Sequence, residues 1–130
     1  MGYEDYRTQK AKELKQNIPY SNGEWNHKYL YEYLVEVNYN DLCYIPFDFF
    51  KPHFDDKELA RILLQDFLLD DSYDGSESQL GAAVILRMMD RSALIANKDL
   101  VLLAQQNEVF WKKPCAEDDD LSWLSESSPS

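Results

Sequence analysis

The run Leu80 to Met89, LGAAVILRMM, has no polar face: every position from Leu80 to Leu86 is apolar or glycine, and Arg87 is the only charge before Asp90. A helix patterned this way is surrounded by other elements rather than laid on a surface. At ten residues it is too short to span a bilayer, so it predicts the central helix of a soluble domain. Just before it, Leu59, Ile62, Leu63, Asp66, Phe67 and Leu69 predict a second mostly apolar helix, capped by Asp55 or Asp56.

Toward the N-terminus, Tyr3, Tyr6, Leu14 and Ile18 recur at roughly helical spacing with Lys and Glu between them. They predict an amphipathic helix over about residues 3–17, ended by Pro19. Ser21-Asn22-Gly23-Glu24 has the S-x-x-E form of a capping box. After it, Trp25, Tyr29, Leu30, Tyr33, Leu34 and Val37 lie on one face of a helix. The same stretch also reads as a strand, because Tyr29, Tyr31, Tyr33, Val35, Val37 and Tyr39 alternate strictly. The capping box and the lack of a hairpin partner favour the helix.

Residues 41–54, DLCYIPFDFFKPHF, hold two prolines and four phenylalanines and predict an irregular segment that plugs the core with aromatic rings. Asp70 to Ser78, DDSYDGSES, reads as an acidic loop between helices. Ser92 or Asn97 caps a final helix in which Leu100, Leu103, Ala104 and Phe110 face the core. From Pro114 the composition changes to an acidic, Ser-rich tail. The expected fold is therefore all-α: a single compact domain of about five helices over residues 1–113, followed by a disordered acidic tail over residues 114–130.

A chain of 130 residues suits one hydrophobic core. Nine tyrosines and three tryptophans exceed what that core needs, and these are the side chains that anchor protein interfaces. The net charge of −11 comes mostly from the second half: residues 1–65 carry 8 basic and 11 acidic side chains, residues 66–130 carry 5 and 13. Such a charge repels nucleic acid and anionic membranes and attracts basic proteins. Cys43 and Cys115 stand far apart without a secretory leader, which points to reduced thiols and a cytoplasmic location.

Asp70, Ser72, Asp74 and Gly75 match positions 1, 3, 5 and 6 of an EF-hand loop, but position 12 is Gly81 rather than a bidentate Glu. His27 and His53 lack zinc-ligand spacing, so no metal and no cofactor is expected. A Cys43–His53 nucleophile rests on nothing beyond the presence of both residues. Arg87 is expected to pair with a carboxylate such as Asp66 or Asp90.

What remains is a small acidic binding protein without chemistry of its own, the physical profile of bacterial immunity proteins that block basic nuclease toxins. The expected partner-binding residues are Asp70, Asp71, Tyr73, Asp74 and Glu77 in the loop, with Glu117, Asp118, Asp119, Asp120 and Trp123 in the tail. The tail reads equally as a segment that docks on a partner or packs back on its own domain. A nucleic-acid mimic is the alternative function, and a small enzyme stands behind both. Neither direct nucleic-acid binding nor membrane insertion fits the charge and the length of the apolar runs.

Overall fold

The computed structural model describes residues 3–38, 42–73, 75–107, 112–115 and 121–125. Among them, α1 (Tyr3–Gln16) leads into a hairpin of β1 (Tyr20–Ser21) and β2 (Glu24–Trp25). Then follow α2 (His27–Glu36), α3 (Tyr44–Phe50), α4 (Lys57–Leu63), α5 (Glu77–Met88), α6 (Arg91–Ile95) and α7 (Lys98–Gln105). The protein is all-α, and among the described residues seven α-helices stand where about five were expected.

The unbroken apolar run forms α5, whose N-cap Ser76 accepts a hydrogen bond from the Gln79 amide. Gly81, Ala82, Ala83, Ile85 and Leu86 are buried, so the helix is enclosed as its pattern requires. Its most extensive contact is with α2, which contributes Leu30, Tyr33 and Leu34 to the core. Asp56 caps α4 by accepting from the amides of Glu58 and Leu59. Past Leu63 the helix widens into a π turn, Leu64–Leu68, and Leu59, Leu63, Leu64, Phe67 and Leu68 are all fully buried. The apolar side of this helix thereby packs against α5 and α7, while Glu58, Arg61 and Gln65 stay on its outer side.

Four local expectations are corrected. Ser21 to Glu24 is not a capping box but a hairpin turn, with Asn22 at φ 54° and Gly23 at φ 80°. Positive φ at both central residues is the signature of an Asn-Gly type I′ turn, whose twist suits paired strands. The helix that follows is capped by Asn26, which accepts from the Tyr29 amide. It runs through Glu36, so of the two readings of residues 29–37 the helix is the observed one; Tyr39 lies outside the described residues.

Residues 44–50 are helical, not irregular. Pro46 falls in the first turn of α3, where its missing N–H would have no partner within the helix, and Pro52 opens a 3-10 turn at Lys51–His53. The expected last helix is split into α6 and α7. Val101 and Ala104 carry the buried face of α7, and Leu103 is 53% exposed. Phe110 lies outside the described residues. The stripe predicted for α1 is also mostly exposed: Leu14 is buried, whereas Tyr6 and Ile18 face solvent. Among the described residues, no helix is long and apolar enough to cross a membrane.

Parts of the segment after Pro114 pack onto the helices. Cys115 is buried, and its backbone exchanges two hydrogen bonds with the Gln105 side-chain amide, at 3.0 and 3.3 Å. Arg87 donates to the Lys113 carbonyl at 3.1 Å. A 3-10 turn at Ser122–Ser125 then lies against α6, with Trp123 and Leu124 buried.

Candidate functional site

The hairpin sets Trp25 at the centre of a half-buried aromatic cluster. Its ring lies 4.8 Å from Tyr20, 5.1 Å from His53 and 6.0 Å from Phe49, and the last two meet it edge-on. The indole N–H donates to Asp56 Oδ2 at 3.2 Å, so the N-cap of α4 also orients the ring. One side of Trp25 forms a wall of an open cleft of about 480 Å³ between the hairpin, α2 and α4. Glu24, Glu58, Asp66, Arg61 and His27 supply its polar lining, and Leu30 and Ile62 its floor.

Three carboxylates thus face one guanidinium. Arg61 is committed to Glu58 through two hydrogen bonds, one of them Nε to Oε2 at 3.1 Å. That pairing holds the Glu58 carboxyl below its ordinary range and raises Arg61, so both stay charged at neutral pH. Glu24 and Asp66 provide the remaining negative charge. The arrangement suits a guanidinium or ammonium from outside, with Trp25 in the wall beside it.

Ring contacts lead from His27 in the cleft to Tyr73 in the acidic loop. His27 stacks on Phe67 at 4.9 Å with planes 8° apart, and Tyr73 lies 5.0 Å from Phe67 and 6.0 Å from Tyr31. Burial, then the nearby Asp70 carboxylate, pushes the Tyr73 phenol above its ordinary pKa. Tyr73 therefore bridges the cleft and the loop rather than standing free as an anchor.

The loop residues have separate local duties. Asp70 Oδ1 accepts from the Ser72 amide at 2.9 Å and the Ser72 hydroxyl at 2.7 Å, closing the 3-10 turn Asp71–Tyr73. Asp71 is almost fully exposed and lies 3.8 Å from Lys112 Nζ. Glu77 is exposed at the first turn of α5. Asp74, Glu117, Asp118, Asp119 and Asp120 lie outside the described residues. Trp123 is only 6% exposed, with the Arg91 guanidinium 5.0 Å from its ring centre, so the ring is spent on the protein's own core.

Sequence reasoning placed the loop but missed the cleft. The signal was present in Asn22-Gly23 between Tyr20 and Trp25, the strongest short hairpin marker. Cys43 is the N-cap of α3 and His53 closes the 3-10 turn after it, ten positions on, a rise of roughly 15 Å at 1.5 Å per residue. They do not form a nucleophilic pair. Among the described residues, no group of three or more His, Cys, Asp and Glu side chains is placed to hold a metal.

No family model matches the chain, and no curated protein or solved structure matches it either.

Proposed function

We propose that this protein is a small cytoplasmic binding protein, without catalysis of its own, that captures a basic protein partner. The specific reading is an immunity protein that blocks a cognate bacterial nuclease toxin. The observation that carries it is the cleft beside Trp25, where Glu24, Glu58 and Asp66 face a single Arg61 in a chain of net charge −11. An aromatic wall rimmed by excess carboxylate is the complement of an Arg- or Lys-rich surface. Asp71 and Glu77 are exposed in the acidic loop and at the start of α5, where their charge adds to the field that steers a basic partner.

The test is kinetic, on a partner recovered by affinity capture. Wild type should associate more slowly as salt rises, while dissociation changes little. The double variant Glu24→Gln/Asp66→Asn should slow association several-fold at low salt, and Trp25→Phe should speed dissociation. If the carboxylate variant associates as fast as wild type at low salt, the acidity serves solubility and the capture reading fails. Binding to several unrelated DNA-binding proteins would instead favour a nucleic-acid mimic.

A further inference from the structure

The cleft beside Trp25 grades from an apolar floor to a charged rim. Leu30 and Ile62 are buried at its floor, Asp66 is half-buried in its lining, and Glu24 stands exposed on the hairpin. The guanidinium already present does not serve these two acids. Arg61 gives Nε and one terminal nitrogen to the two carboxylate oxygens of Glu58, and the other terminal nitrogen to Gln65 Oε1 at 3.4 Å. Its three nitrogens are thereby engaged along its own helix, and Asp66 acts on it only through space. Among the described residues, neither Glu24 nor Asp66 is ion-paired.

We propose that this cleft receives one arginine side chain of the partner, and selects it over lysine. The inference rests on the capture of a basic partner and names the side chain that the site takes. Glu24 comes from the hairpin and Asp66 from the π turn, so one bound group must donate in two directions. A guanidinium carries five N–H donors around a plane and can do so; an ammonium is a compact point charge.

The apolar part of the lining adds a second selection. A cation that enters beside Leu30, Ile62 and Trp25 sheds water, and a guanidinium is the more weakly hydrated of the two. Arg61 displays the same chemistry within the cleft, since its fork meets both oxygens of Glu58. Three carboxylates against that one guanidinium leave room for a second cation without reversing the sign of the site.

The experiment titrates the whole protein at low salt with the capped peptide acetyl-Gly-Arg-Gly-amide, following the Trp25 indole N–H resonance, which Trp25→Phe assigns. The arginine peptide should shift this resonance saturably at millimolar concentration. Its lysine counterpart should bind at least about fivefold more weakly, and the uncharged citrulline counterpart should not saturate. Free arginine, which brings its own carboxylate, should bind more weakly than the peptide. Glu24→Gln and Asp66→Asn should each weaken the arginine peptide about fivefold or more and narrow its lead over lysine, because the bridge loses one end. Asp71→Asn removes the same charge outside the cleft lining and should change affinity by less than about twofold. Melting temperatures check folding, and Glu24 is exposed, so its variant reads the contact even where Asp66→Asn disturbs the helix. The proposal is overturned if the arginine peptide does not saturate, if lysine binds as tightly, or if Glu24→Gln weakens binding no more than Asp71→Asn. Tighter binding of free arginine would make the cleft a small-molecule site and overturn it as well. The two readings fail separately. Equal binding of lysine leaves capture of a basic partner standing, whereas a partner whose association ignores Glu24→Gln/Asp66→Asn removes capture and leaves the peptide result untouched.

Discussion

Gly81 on α5 stands directly against the backbone of Leu34 on α2: a β-carbon at position 81 would come within 2.0 Å of the Leu34 carbonyl oxygen and 2.8 Å of its carbonyl carbon. The contact is with main chain, which cannot rotate away as a side chain can. The two central helices therefore meet at a separation that glycine alone permits.

Gly81→Ala consequently separates two opposed effects. Helix propensity by itself favours alanine by about 1 kcal/mol. The close approach to α2 opposes it, and forced overpacking costs about 1–3 kcal/mol or more. Chemical denaturation should show a net loss of stability for Gly81→Ala. A variant more stable than wild type would mean that α2 and α5 do not touch at this point.

Glu36 is 4% exposed at the end of α2. Burial raises its carboxyl pKa; Lys10 opposes the rise, and Glu32 and Glu77 add to it. The folded state thus holds this proton more tightly than the unfolded chain. Its contribution is fully present below the unfolded carboxylate value and is lost as pH rises through the folded one. Glu36→Gln should raise the melting temperature at pH 7.5, and the gain should shrink toward pH 4.5. A lower melting temperature at pH 7.5 would show that attraction to Lys10 outweighs burial.

Trp123 packs beside Arg91 in the protein's own interior. Trp123→Ala should therefore lower folding stability, by about 3 kcal/mol for an aromatic ring removed from a packed site. Urea titration followed by far-UV circular dichroism reads this directly. A change below about 0.5 kcal/mol, the level of an ordinary surface substitution, would return Trp123 to the role of a free anchor.

Calcium at millimolar concentration should leave the melting temperature unchanged. Asp70 already accepts two hydrogen bonds from Ser72, and the position that an EF-hand gives to its bidentate Glu is occupied by Gly81, enclosed against α2. A rise in melting temperature that Asp74→Ala abolishes would overturn this.

Much of the helical frame was legible because burial leaves a periodic trace. The unbroken apolar run had to become an enclosed helix, and the Leu30, Tyr33, Leu34 and Val37 stripe had to face it. The cap was legible as Asp55 or Asp56, because a carboxylate before an apolar run satisfies amides that the helix leaves open, and the structure selects Asp56. Prolines misled at residues 44–50, since their effect depends on which turn of a helix they occupy. The Asn22-Gly23 signal was local and could have been read; the competing S-x-x-E pattern hid it.

The sequence by itself determined an acidic all-α protein with α5 at its centre, because charge and hydrophobic period are properties of the chain. Only the tertiary structure decided where the charge gathers. Glu24 comes from the hairpin and Glu58 and Asp66 from the helix that starts at Lys57, and the three line one cleft. It also decided that Trp123 turns inward while Tyr44 stays open. Such meetings depend on how far apart helices settle, and backbone contacts such as that of Gly81 with Leu34 set this separation without leaving a pattern along the chain.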